Sequence, residues 1–129
     1  MIDKIIIPKI WGSEEWIANN DKYCGKILTL NKGMRCSVHY HKEKHETFYV
    51  LDGRVLMELG DDLLRSILDV GNSQVVETGQ KHRFTGLENS RVIEFSTHHD
   101  DYDSYRSTES GSVDLIKLMD ELKEGGLIA

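Results

Sequence analysis

Short apolar-rich runs, each five to seven residues long, occupy most of the chain between residues 25 and 97. They are GKILTLN (25–31), CSVHYH (36–41), ETFYVL (46–51), RVLMEL (54–59), LLRSIL (63–68), SQVVE (73–77), HRFTG (82–86) and RVIEFST (91–97). All are rich in Val, Ile, Leu, Phe, Tyr and Thr. Turn residues separate them: Asn31-Lys32-Gly33, Asp52-Gly53, Gly60-Asp61-Asp62, Gly71-Asn72 and Glu88-Asn89-Ser90. Asp52-Gly53 between two apolar runs predicts a hairpin, because glycine accepts the positive φ of a type I′ turn. Eight short strands at even spacing predict an all-β sandwich or barrel.

The apolar period changes near the end. Val113, Ile116, Met119 and Leu122, with Leu115 and Leu118, recur at helical spacing. This predicts one helix over about 112–124, capped by Ser112 and ended by Gly125. Its stripe can pack on the β-structure or serve a dimer contact.

Composition narrows the picture. A length of 129 residues predicts a single domain spanning 1–129. Apolar residues at 39% and charged residues at 29% suit a soluble globular chain with a core. No apolar run approaches the roughly 20 residues needed to span a bilayer. The start, MIDKIIIPKIWG, lacks the long apolar stretch of an export signal. A cytoplasmic location is therefore expected. Cys24 and Cys36 are then expected as a reduced pair, too few for a zinc ribbon. The net charge of −6 and the lack of a basic stripe argue against nucleic acid or an anionic membrane as partner.

Candidate chemistry concentrates in HYHKEKHE, residues 39–46. Alternate residues of a strand share a face, so His39 and His41 point together with Tyr40 opposite. A short turn returns the chain, and Glu46 opens the next strand. Two imidazoles and a carboxylate suit a divalent transition metal and leave coordination positions free. His82, after the turn Thr78-Gly79-Gln80-Lys81, is the candidate fourth ligand. His45 is expected on the solvent side of the turn, beside the charge run Lys42-Glu43-Lys44.

The segment from Gly33 through His39, His41 and Glu46 to Gly53 resembles the first cupin motif, G-x5-H-x-H-x(3,4)-E-x6-G, at every fixed position. The segment from Gly71 through Gly79 and His82 to Gly86 is similar to the second motif. There Glu77 stands for the usual proline and Gly86 for the usual asparagine. The resemblance covers about residues 25–97. It implies a double-stranded β-helix, or jelly-roll barrel, with His39, His41, Glu46 and His82 as ligands of one divalent metal (Zn, Mn, Fe, Ni or Co).

Looser likenesses point toward sugars. Ile10-Trp11-Gly12, Gly25-Lys26-Ile27, the HYH run, Ile93-Glu94-Phe95 and the acidic segment from Asp101 to Arg106 resemble the cupin domain of type II mannose-6-phosphate isomerases. Ile10 departs from that family's proline, and Ser37-Val38-His39 departs from its Ser-Leu-Gln. His39-x-His41-x-x-Lys44-x-Glu46 is similar to the motif of lyxose isomerases. These likenesses imply aldose–ketose isomerisation or epimerisation of a sugar or sugar phosphate. A base must then move a proton between neighbouring carbons. Glu94 and Lys44 are the candidates, with Glu43 behind them. Tyr49 and Trp11 are expected to line the pocket. Arg106 and Arg35, with Lys81 and Arg83, could anchor a phosphate, and His98 and His99 could close the mouth. An Fe(II) oxygenase and a non-catalytic sugar-binding module are the rival classes. A homodimer is expected.

Overall fold

A computed structural model describes residues 5–129. The chain forms two antiparallel sheets and one helix. The first sheet has the order β1 (Ile5–Lys9), β2 (Gly12–Asn19), β3 (Cys24–Leu30), β11 (Ser90–Ser96), β6 (Glu46–Asp52) and β9 (Ser73–Val76). The second contains β12 (Tyr105–Arg106), β5 (His39–Tyr40), β10 (His82–Gly86), β4 (Met34–Arg35) and β13 (Gly111–Ser112). Strand β7 (Arg54–Leu59) pairs with both β10 and β8 (Leu64–Asp69). The sheets face each other as a jelly-roll barrel.

Alternation along each strand makes the core. Leu28 and Leu30 of β3, Phe48 and Val50 of β6, Met57 of β7, Phe84 of β10 and Val92 of β11 are buried together with Trp11. Trp11 meets Phe84 edge to face, with ring centroids 5.5 Å apart. Among the described residues no helix is long and apolar enough to cross a membrane.

Four features differ from the sequence expectation. Strands β1 and β2 precede the predicted core and extend the first sheet. Pro8 lies in β1, and as an edge strand β1 tolerates proline. Two-residue strands β12 and β13, which the sequence did not predict, flank the second sheet.

The Asp52-Gly53 turn exists but makes no hairpin. Strand β6 pairs with β11 and β9, while β7 pairs with β8 and β10. The chain therefore crosses from one sheet to the other at Gly53. There φ is 86°, and a Cβ would come within 2.5 Å of the Asn89 carbonyl oxygen.

The helix α1 runs Leu115–Glu124, later than predicted. Ser112 belongs to β13, and Asp114 is the cap, its carboxylate accepting from Lys117 N at 3.1 Å. Leu115, Leu118, Met119 and Leu122 pack against Leu56, Ile67 and Leu87, while Ile116 is 81% exposed. The inward stripe thus follows i, i+3, i+4, i+7 from Leu115. Gly125 ends the helix as expected.

Candidate metal centre

Strand pairing brings the histidines together. His39 opposes His82 in the β5–β10 register, and the ring centroids are 4.2 Å apart. His41, two residues past His39, shares its face. Its ring lies 5.2 Å from His39 and 5.6 Å from His82. One nitrogen from each of the three falls within 4.8 Å of the others.

Each ring is held from behind. The Nδ1 atoms of His39, His41 and His82 lie on the carbonyl oxygens of Ser37, Asp103 and Gln80. A carbonyl only accepts, so each Nδ1 carries the hydrogen, and in the neutral ring each Nε2 keeps a bare lone pair. This backing is the usual arrangement of a metal-binding imidazole. Burial, then the neighbouring His82, pushes the His39 imidazole down to about 3, which keeps it neutral.

Glu46, first residue of β6, reaches the same point. Its Oε1 lies 3.4 Å from His41 Nε2 and its Oε2 lies 3.3 Å from His82 Nε2. Oε2 and His82 Nε2 are buried and have no hydrogen-bond partner. Two bare acceptors at this distance repel unless a cation lies between them. Three nitrogens and one carboxylate oxygen therefore fit a divalent transition metal. Burial alone would raise the Glu46 carboxyl. N–H donation from His41 and His82 when those rings are protonated, together with the Lys44 ammonium, outweighs burial and holds it well below the ordinary carboxylate range.

Lys44, a candidate base in the sequence, is drawn inward from the charged turn. It is 4% exposed, and its ammonium meets Glu46 Oε1 at 2.8 Å, Glu94 Oε2 at 3.2 Å and His99 Nδ1 at 2.9 Å. All three donors are used. Burial would lower the lysine, but Glu94 and Glu46 raise it well above the ordinary value. Lys44 is thus a fixed cation with no lone pair to accept a proton.

A cavity of about 410 Å³ opens over this cluster. Glu94 lines it, because β11 turns Glu94 inward and leaves Phe95 56% exposed. Glu94 Oε2 also accepts from Ser96 Oγ at 2.9 Å. Trp11, His99 and Arg106 line the cavity as well. Tyr49 and Arg35 do not. Tyr49 falls on the outer face of β6, where it is 36% exposed, and its neighbour Phe48 takes the inner position. Arg35 sits near Arg83 and Glu58 away from the cavity. Arg83 is spent on Glu58 at 3.0 and 3.2 Å, and Lys81 lies 3.7 Å from Asp61. His45 faces Glu77 at 3.0 Å on the exposed side of the turn, as expected, and His98 bonds the Asn20 carbonyl.

A sequence model of the cupin domain matches residues 26–116. The chain belongs to the cupin family. No curated protein matches it. The cupin fold recurs in KdgF from Halomonas sp., with 21% identity, a TM-score of 0.64 and coverage of 70% of this chain and 81% of that one. The capsular polysaccharide assembling protein CapF from Staphylococcus aureus gives 16% identity and a TM-score of 0.71 over 82% of this chain. This cupin spans only 34% of CapF. The nucleoside dehydratase Pac13 gives 9% identity and a TM-score of 0.71, covering 84% and 88%.

Two parts of this cupin site carried no clear signal in the sequence. Asp103 binds the ligand turn from outside: Oδ1 accepts from Lys42 N at 2.7 Å, and Oδ2 accepts from Glu43 N at 3.1 Å and Lys44 N at 3.0 Å. Its backbone carbonyl backs His41. Lys26 is 1% exposed and lines the cavity, bonded to Glu14 at 3.3 Å. The only hints were the acidic segment 101–106 and the Gly25-Lys26-Ile27 likeness.

Proposed function

We propose that this cupin is a metal-dependent enzyme acting on a small sugar-like substrate, by aldose–ketose isomerisation or epimerisation. The observation that carries the reading is a buried carboxylate, Glu94, in the same cavity as His39 and His41 of the converged histidines. His39, His41 and His82 through Nε2, and Glu46 through Oε2, would hold the metal. A divalent ion there acts as a Lewis acid toward a carbonyl and an adjacent hydroxyl.

The protein's own groups do the rest. Glu94 is the base that takes the proton from the carbon beside the carbonyl and returns it one carbon away. Lys44 orients Glu94 and Glu46 through its ammonium. It is a positioning residue. Trp11 and Phe48 wall the cavity and exclude water from its base. The likeness to CapF, a capsular polysaccharide assembling protein, and to Pac13, a nucleoside dehydratase, supports this substrate class.

The test is an isomerase screen on metal-loaded protein, following ketose formation from aldoses and aldose phosphates. Glu94→Gln is expected to lower kcat by about 10²–10⁴-fold with metal content unchanged. Iron in the purified protein together with substrate-dependent oxygen uptake would replace this reading with the oxygenase.

A further inference from the structure

Two buried lysines line the cavity, and they are not equivalent. Lys44 has all three ammonium donors filled. Lys26 is as deeply buried, at 1% exposure, yet among the described residues it has one acceptor, Glu14 Oε1 at 3.3 Å. Its ammonium also lies over the face of the Trp16 ring, with Nζ 4.6 Å from the centroid, and Glu94 opposes Lys26 across the β3–β11 pair. Glu14 is itself shared. It accepts from Trp16 Nε1 at 3.0 Å and pairs with Lys9 at 3.8 Å. With Glu14 on one side and the indole face on another, at least one donor of a desolvated ammonium has no acceptor among the described residues, and an open buried donor is costly until an acceptor fills it.

The charge balance points to the kind of acceptor. Four cationic side chains line the cavity (Lys9, Lys26, Lys44 and Arg106) against four carboxylates. A divalent metal at the histidines tips the balance positive. Arg106 is exposed and pairs with His39 in register, so it adds a second cation to the wall beside the histidines.

We propose that Lys26 anchors an oxyanion of the substrate, so that the cavity selects a hydroxylated small molecule bearing a carboxylate or phosphate over its neutral analogue. The inference rests on the reading of this cavity as a sugar site. It places the anion anchor inside the barrel, on β3, where Arg35, Lys81 and Arg83 do not reach.

Tryptophan fluorescence reads the site directly, because Trp16 lies against Lys26 and Trp11 lines the cavity. The full chain, loaded with the metal with which it purifies, is titrated with D-glucose, D-glucuronate and inorganic phosphate. Glucuronate is expected to bind at least about tenfold more tightly than glucose, as a charge-assisted contact predicts. Lys26→Met is expected to abolish that preference with metal content unchanged. If phosphate rather than glucuronate shows the Lys26-dependent binding, the oxyanion is a phosphate. Equal binding of glucose and glucuronate, without Lys26-dependent phosphate binding, overturns the proposal and leaves the sugar reading standing. Anion binding that survives Lys26→Met sits elsewhere and overturns it too, as does failure of both anions to bind. Should Lys26→Met misfold, adding Glu14→Gln removes the orphaned carboxylate, and the same titration decides. The isomerase screen is a separate readout, so loss of that activity class does not mimic any of these outcomes.

Discussion

His82 Nε2 and Glu46 Oε2 face each other at 3.3 Å inside the barrel, and neither has a hydrogen-bond partner. Because His82 Nδ1 is committed to the Gln80 carbonyl, the facing nitrogen of the neutral ring carries no hydrogen. A cation between them removes the repulsion. Elemental analysis of tag-free protein is therefore expected to find one divalent transition metal per chain. His39→Ala, His41→Ala and His82→Ala should each lower occupancy, whereas His45→Ala should not. Near-normal metal in all three ligand variants would sink the assignment.

Asp103 offers a second handle on the same centre. It binds three successive amides of the ligand turn, and burial of its carboxyl is outweighed by those N–H groups, which lower its pKa. Outer partners of this kind are worth about 10–100-fold in metal affinity. A loss of that size is expected for Asp103→Ala in a chelator competition. Asp101→Ala, whose carboxylate bonds His99 at 2.7 Å and not the turn, is the control and should lose far less.

The metal ligands were readable because their geometry is local. Strand alternation aligns His39 with His41, and a four-residue turn delivers Glu46. His82 needed the motif as well, since its partner strand is 43 residues away by the register His82↔His39. Glu94 could not be oriented from sequence, because Ile93 and Phe95 flank it and either face could be inward. Lys44 was a candidate base and Lys26 part of a family likeness, but nothing in the sequence marked either as buried, since lysines usually are exposed. Their burial depends on partners contributed by other strands and loops, such as Glu94 and His99 for Lys44, which lie 50 and 55 residues along the chain. The Asp52-Gly53 turn misled for a related reason. A tight turn between apolar runs looks the same whether the strands pair or part to opposite sheets.

Oligomeric state follows from a different surface. Tyr49, Val75 and Phe95 are exposed on the outer face of the six-stranded sheet. Phe95 opposes Thr47, and Thr47 opposes Val75. We expect light scattering at micromolar concentration to give twice the 14.8 kDa chain mass. A value of 14.8 kDa would refute the homodimer.

Lys44 is expected to be indispensable to the fold of the site rather than to the proton step. Lys44→Met leaves Glu46 and Glu94 buried without their shared cation. Removing one partner of a buried ion pair costs about 3–5 kcal/mol, so a marked drop in Tm is expected. Adding Glu94→Gln removes one orphaned charge and should restore part of that Tm. An unchanged Tm in Lys44→Met would show that the carboxylates do not depend on it.

Glu14 makes the acid sensitivity of the cavity testable away from the metal ligands. Burial would raise its carboxyl, but Lys26, the Trp16 N–H and Lys9 together lower it below the ordinary value of 4.5. The folded state therefore holds Glu14 ionised at a pH where the unfolded chain has begun to take up a proton. Below 4.5 the unfolded state binds more protons, so stability falls with falling pH until the folded carboxyl is itself protonated. The contribution is complete above the unfolded value and disappears through the lower, folded one. Melting curves of chelator-treated protein between pH 6 and pH 3 should show this loss for the wild type. Glu14→Gln has no proton to bind there, so its Tm is expected to be lower at pH 6 and to decline less steeply below 4.5. Parallel Tm curves for the two proteins would mean that Glu14 is not held ionised by Lys26, and would remove the shared acceptor from the account of the anion anchor.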